Sequence, residues 1–383
     1  MGYSIRGYGE MFADRNRFDA YQSALAKAVR PGMTVLDLGA GPCMIGLWAC
    51  HYGAARVIAV DNDSSLGLGQ AIVRESGFLP RFEFLNDFST NIETPVVCDV
   101  VVSDLRGVLP LHGRHIPSII DARQRWLAEG GHLIPECDTI HVAIVSSEKV
   151  FDEHYSAWGN DLNGWSLAPA RRLLANSLQK VNLETTDLLS SPALWMTLDY
   201  RHIASSDHQA SLQWTVDGDG TAHGLAAWFE SELFDGVRLS SRPGDPKLIY
   251  GQMFFPWPER VPLYAGDSVE VRLRAKLIND EYLWSWNTRI DGHDVRRSGP
   301  LEFQQSTFER QSFSPDQLSR MQLDAAPVLL PKGQATLAAL AAMDSRASMH
   351  EIASMLAAKL PDQFPRAAQA VKFVSALFGQ YWR

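Results

Sequence analysis

Up to about residue 138, short apolar runs alternate with stretches of helical spacing. The runs are TVLDL (34–38), RVIAV (56–60), RFEFL (81–85), DVVVS (99–103) and GHLIP (131–135), and the helical stretches lie at roughly 16–29, 43–53, 64–77 and 115–129. Strands that are apolar throughout are buried on both faces, so this alternation predicts a mostly parallel sheet covered by helices. From about 139 to 305 the period changes to two. Alternating segments such as TIHVAIVSS, HQASLQWTV, SVEVRLRAKL and YLWSWNTRI are separated by DGDG, RPGDP and YAGD turns, the pattern of an antiparallel barrel or sandwich. A helical insertion, SLAPARRLLANSLQKV, interrupts it. The last seventy residues return to helical spacing, with Ile352, Met355 and Leu356 and then Val371, Val374 and Leu377 on one face each. Ser348 and Glu351 form a capping box before the middle helix of a three-helix unit.

Composition narrows the function. A chain of 383 residues exceeds one ordinary hydrophobic core, and a net charge of -9 with no long basic cluster argues against nucleic-acid binding. No apolar run is long enough to span a bilayer, and the N-terminus lacks the apolar core of a signal peptide. Cys43, Cys50, Cys98 and Cys137 show no zinc or redox spacing and read as buried apolar residues in a reducing, cytoplasmic setting. No metal site is expected.

The stretch TVLDLGAGPCMIG carries the chemistry. A buried strand ends at Asp37 and Leu38 and runs into Gly39, Ala40 and Gly41 before a helix, and glycines there let the backbone approach a ligand at the carboxyl end of a strand. Twenty residues after Gly41, Asp61 ends the next strand, where a carboxylate can accept from both hydroxyls of a ribose, with Asn62 beside it. A third strand ends in NDFS, offering Asp87 to an adenine amino group and Phe88 to a ring face. These features predict a nucleoside cofactor.

VLDLGAG, Asp61, NDFS and the DVVVSD strand together resemble the class I S-adenosylmethionine-dependent methyltransferases. More narrowly, MFADRNRFDAYQSAL, RWLAEGGHLIPE and YGQMFFPWPERVPLYAGDSVEV resemble the protein arginine methyltransferases, over roughly residues 8–305. The resemblance implies an α/β fold: a Rossmann-like seven-stranded sheet, then an antiparallel β-barrel domain, here followed by a small helical domain. The corresponding division is an N-terminal helical lid (1–30), a cofactor domain (31–138), a barrel domain (139–312) with a dimerisation arm at about 156–190, and helices at 313–383. It also implies S-adenosyl-L-methionine as cofactor, a homodimer, Arg17 on the methionine carboxylate and Met11 near the sulfonium. Tyr8 stands where the family usually has a histidine. With Asp37, Gly39, Ala40, Gly41, Asp61, Asn62, Asp87, Phe88 and Ser103, these make the cofactor set.

The acceptor side departs from the family. Two glutamates nine residues apart hold its guanidinium acceptor; here the first position is Asp104 and the second is Gly113, and the family's Thr-His-Trp segment is matched by Leu248, Ile249 and Tyr250. A loop carrying Arg106, His112, Arg114 and His115 suits an acidic or hydroxyl-bearing acceptor, with His112 or His115 as a base near neutral pH and Asp104 and Arg106 beside it. Arg114 and His115 also read as solvated residues opening the next helix. Trp257, Tyr282, Trp284 and Trp286 read as barrel core rather than a cavity wall, and Arg289 as a weak binder of an acidic substrate. The C-terminal helices loosely resemble PqqD-like modules that recognise leader peptides, and also read as a plain docking bundle. The leading expectation is methyl transfer to N or O of a small molecule or peptide. Two alternatives stand beside it: an arginine N-methyltransferase in which Glu10 completes the carboxylate pair, and an inactive cofactor-binding scaffold that docks a partner through its tail.

Overall fold

The computed structural model describes every residue except 1–3, 159–162, 293–298, 313, 321, 323, 325, 327, 344, 345, 382 and 383. The chain divides into two compact units, residues 1–312 and 313–383.

In the first unit α1 (Ile5–Ala13) and α2 (Arg15–Ala28) precede β1 (Thr34–Leu38), α3 (Met44–His51), β2 (Arg56–Val60), α4 (Ser65–Glu75), β3 (Phe82–Leu85), β4 (Cys98–Ser103), α5 (His115–Asp121) and β5 (Leu127–Ile134). The strands form one sheet in the order β3-β2-β1-β4-β5, every pair parallel. Five strands are present among the described residues, not seven, because the chain after β5 leaves directly for the antiparallel region. Strand order reverses between β1 and β4, and their carboxyl ends open a crevice there. Helix α2 buries Arg17, Tyr21, Ala24, Leu25 and Ala28, one continuous face, so the spacing that packs the helix also carries the Arg17 side chain inward.

The antiparallel region comprises β6 (Cys137–Val145), α6 (Glu148–Tyr155), α7 (Ala168–Leu174), β7 (Gln179–Val181), β8 (Ala193–Asp199), β9 (His208–Thr215), β10 (Gly220–Phe234), β11 (Val237–Ser240), β12 (Gln252–Leu263), β13 (Ser268–Ile278), β14 (Glu281–Asp291) and β15 (Leu301–Phe303). It forms two sheets, β7-β12-β10-β6-β8 with β11 on β10, and β15-β14-β13-β9; the two are not joined into a closed barrel among the described residues. Alternation places Val269, Val271, Leu273 and Ala275 inward on β13. Trp257, Trp284 and Trp286 are buried in the same core, the last two each 5.5 Å from the Phe255 ring. The insertion that follows β6 holds α6, α7 and the short strand β7.

The second unit contains α8 (Pro315–Arg320), α9 (Pro331–Ala341), α10 (Met349–Lys359) and α11 (Ala367–Tyr381), and the last three share a small core of Ala335, Ala339, Ile352, Leu356, Val374 and Leu377. Ser348 and Glu351 make the reciprocal capping bonds at the start of α10. No helix is long and apolar enough to cross a membrane, and no metal-holding cluster of His, Cys, Asp and Glu occurs among the described residues.

Candidate functional site

A cavity of about 960 Å³ lies over the crevice between β1 and β4. Its walls come from α1 and α2, from the loops after β1 to β4, and from the segment before β12. Met11, Arg17, Gly39, Ala40, Gly41, Asp61, Asn62, Asp87 and Phe88 border it, as do Asp104, Arg106 and His112.

Two members of the cofactor set do not border it. The Asp37 carboxylate, 1% exposed, accepts the backbone N–H of Gly46 at 2.8 Å and so anchors α3 beneath the loop. Burial drives its pKa up to about 7, against the pull of that N–H. Ser103 is buried and its carbonyl accepts from the Tyr21 hydroxyl at 3.2 Å. Both support the site from behind.

At the nucleoside end, Gly39 (φ +77°) and Gly41 (φ +47°) take left-handed conformations; a Cβ at Gly39 would come within 2.2 Å of the Leu105 side chain. Asp61 accepts from the Gly41 N–H at 2.7 Å and the Asp63 N–H at 2.8 Å, one on each oxygen. Burial raises its pKa, and those N–H groups oppose the rise. Tyr8 of α1 reaches across to the Ser65 hydroxyl at 2.9 Å.

At the other end Asp104 follows β4 and is gripped from three sides. Arg17 donates through Nε at 2.7 Å and lies 2.5 Å away through Nη2; the Tyr250 hydroxyl donates at 2.6 Å; Arg106 lies 3.5 Å away. Burial alone would raise the Asp104 pKa, but the two guanidiniums and the tyrosine hold it below the usual carboxylate range. Arg106 borders the cavity from a buried position: its side chain is 0% exposed, stacked over the Phe229 ring at 4.9 Å and paired with Asp138 at 3.2 Å. Its charge is met by Asp138 and, at 3.5 Å, by Asp104. His115 is likewise buried rather than solvated. Its Nε2 lies 3.0 Å from the Tyr200 hydroxyl, which donates to Asp138 at 2.5 Å, and burial with nearby Arg106 lowers its pKa to about 3. That leaves His112 as the imidazole of this loop that is both open to solvent and at the cavity, and partial burial lowers its pKa.

The basic character expected of this loop is internally spent. Arg114 donates to the Thr90 hydroxyl at 3.0 Å, lies over the Phe88 ring and faces Asp280 at 3.7 Å. Glu10 pairs with Arg6 on the exposed side of α1 and does not border the cavity. Arg289 is paired with Asp291 and Glu302, and Tyr282, Trp257, Trp284 and Trp286 lie outside the cavity. Tyr250, Lys180 and Asp280 are wall residues absent from the sequence-derived set. The hydroxyl at Tyr250 was a visible signal, whereas Asp280 comes from the distant turn between β13 and β14 and carries none.

The chemistry of the lining runs in one direction, from a ring face and paired acceptors suited to an adenosine to a buried guanidinium suited to a carboxylate. An adenosine extended by an amino-acid tail fits that sequence of groups, and the class so defined is the S-adenosylmethionine-dependent methyltransferases of class I.

Comparison with known proteins agrees. Residues 136–288 match the family model described as the arginine methyltransferase oligomerization subdomain, which stops short of the helical unit. The chain is 30% identical over 286 residues to protein arginine N-methyltransferase 6 of Xenopus tropicalis, covering 71% of this chain and 81% of that one. It is 27% identical over 279 residues to an arginine N(omega)-methyltransferase of Streptomyces achromogenes subsp. streptozoticus, covering 70% and 75%. Among solved structures, the Trypanosoma brucei PRMT1 enzyme-prozyme heterotetramer with AdoHcy superposes with a TM-score of 0.70 at 17% identity, covering 78% of this chain and 97% of that one. Arabidopsis thaliana protein arginine methyltransferase 10 superposes with a TM-score of 0.68 at 20% identity, covering 79% and 98%. The chain belongs to the protein arginine N-methyltransferase family.

Proposed function

We propose that this enzyme transfers a methyl group from S-adenosylmethionine to a nitrogen of a guanidinium-bearing acceptor, either free arginine or an arginine side chain in a peptide. The observation that carries the reading is Asp104, an ionised carboxylate at the acceptor end of the cavity in the position of the family's first acceptor glutamate. The names of the relatives support it, one of them for arginine itself rather than a protein.

The cofactor supplies an electrophilic methyl on a sulfonium. The chain's part is binding and orientation. Arg17 would hold the cofactor's carboxylate while keeping Asp104, Asp61 would hold the ribose hydroxyls, and Phe88 and Asp87 would face the adenine. Met11, which borders the cavity, would lie near the sulfonium. Asp104 turns one acceptor nitrogen toward the methyl. An acceptor nitrogen that takes the methyl group would release one proton. His112, neutral at pH 7, receives that proton and passes it to solvent.

A second reading, transfer to N or O of a different small molecule or peptide, is favoured by Gly113 and Ile249, which put neither a loop carboxylate nor an imidazole at the family positions. Incubation with methyl-labelled S-adenosylmethionine separates the two. Label in free arginine or in an arginine-containing peptide supports the first; label confined to a non-guanidine fraction supports the second. Cofactor binding with no label anywhere would restore the inactive-scaffold reading.

We further infer a homodimer built through the insertion around 156–190, where Trp158 and Trp165 are exposed at 43% and 69%. A reducing, cytoplasmic setting is supported by four free cysteines.

A further inference from the structure

We propose that Asp280, in the turn between β13 and β14, supplies the second acceptor carboxylate that the loop after β4 lacks at Gly113. The inference rests on the guanidinium reading above. Binding a planar guanidinium by two carboxylates fixes its plane as well as its position, and one carboxylate already occupied by Arg17 and Tyr250 does neither alone.

The carboxylates bordering the cavity are Asp61, Asp63, Asp87, Asp104 and Asp280. The first three follow β2 and β3, at the nucleoside end, so Asp280 is the remaining partner for Asp104. Position then agrees. Gly113 has φ +46°, and a Cβ built on it points toward the Asp280 carbonyl oxygen, 3.9 Å away in open contact. The turn tip thus stands directly against the place where the family's second side chain would begin. The turn is also locally specified, because Asn279 holds a left-handed φ of 57° ahead of Asp280.

Chemistry is the third line. The Asp280 carboxylate already faces one guanidinium, that of Arg114, at 3.7 Å. Arg114 does not depend on it, since Thr90 and the Phe88 ring hold the same group. Asp280 is 65% exposed, so it retains acceptor capacity, and an incoming guanidinium would desolvate the pair and strengthen it. Arg114 is then a positioning residue that keeps the turn carboxylate at the rim.

The test uses the full-length enzyme with free L-arginine and Nα-acetyl-L-arginine methylamide as acceptors. Asp280→Asn should raise the acceptor KM about tenfold or more with kcat less affected, whereas Asp280→Glu should recover most of the loss. Affinity for S-adenosylhomocysteine and the melting temperature should stay at the wild-type values, because an exposed turn side chain holds neither the cofactor nor the core. An acceptor KM for Asp280→Asn within about twofold of wild type, on an enzyme that methylates either acceptor, overturns the role of Asp280 and leaves the acceptor class standing. Failure of the wild-type enzyme to methylate either compound overturns both.

Discussion

Asp14 spends its two carboxylate oxygens on two different parts of the chain: one caps α2 by accepting the Arg17 N–H at 3.1 Å, and the other accepts the Ile249 N–H at 2.6 Å. The hinge between the two N-terminal helices is thereby fastened to the segment where the family resemblance would place a histidine. With Ile249 there, the backbone, not an imidazole, completes the contact.

Removing that fastening should loosen the two N-terminal helices without removing a residue that borders the cavity. Asp14→Ala loses a helix cap, a cost of about 1 kcal/mol, together with the tether. Binding of S-adenosylhomocysteine measured by calorimetry should weaken by about tenfold, and Asp14→Asn, which keeps one oxygen acceptor, should fall between. Unchanged affinity in Asp14→Ala would show that cofactor binding does not depend on this contact.

Arg17 holds Asp104, and in the function proposed above it also takes the carboxylate of the cofactor. Arg17→Lys keeps one charge but loses the planar fork that bonds both Asp104 and Tyr250, so it should bind cofactor about ten- to a hundredfold more weakly. Arg17→Ala should also lower the melting temperature, since Asp104 would then be buried against Arg106 and Tyr250 alone. A calorimetric titration beside a thermal melt distinguishes these effects. Loss of stability with cofactor affinity intact would remove Arg17 from the cofactor site.

Asp37 makes stability depend on pH in the opposite sense from Asp104. Its pKa in the fold is about 7, above the unfolded value near 3.9, so between those limits the folded chain holds a proton the unfolded chain has lost. Stability from this group is complete below the unfolded pKa and declines as pH rises through about 7. Asp104, with its pKa lowered, contributes stability above the unfolded pKa that is lost as pH falls through its folded pKa. Asp37→Asn retains an oxygen for the Gly46 N–H and removes the first dependence. Relative to wild type it should gain stability from pH 5 to pH 8, by on the order of a few kcal/mol, in denaturant melts at several pH values. A constant difference across that range would refute the assignment.

Much of this was legible in the chain. The strand runs, the glycine turn and the acidic ends of β2 and β3 follow from local pattern, because burial on both faces and a close backbone approach each leave a compositional mark. Arg17 was found through family resemblance, and its place on the same face as Tyr21, Ala24 and Leu25 shows why it points inward. The pairing of Arg106 with Asp138, thirty-two residues on and under the Phe229 ring, was not legible, because sequence does not show which distant residues meet. Asp280 was invisible for the same reason: only the packing of a β-hairpin against the loop after β4 makes it a neighbour of Gly113.

The buried chain from Arg106 through Asp138 to Tyr200 and His115 yields the sharpest separation between support and catalysis. Arg106→Met leaves Asp138 buried with the Tyr200 hydroxyl as its remaining partner, and breaking a buried pair from one side costs roughly 3–5 kcal/mol. Asp138→Asn strands Arg106 in the same way. The double variant removes both charges, so it should recover much of the stability that either single change loses, giving a coupling of about 2 kcal/mol or more in a double-mutant cycle. Because Arg106 also sits 3.5 Å from Asp104, acceptor turnover should remain reduced in the double variant even where stability returns, while S-adenosylhomocysteine binding stays near wild type. Additive losses in chemical denaturation would mean that the two residues do not form a pair, and full recovery of turnover with stability would mean that Arg106 has no hold on the acceptor carboxylate.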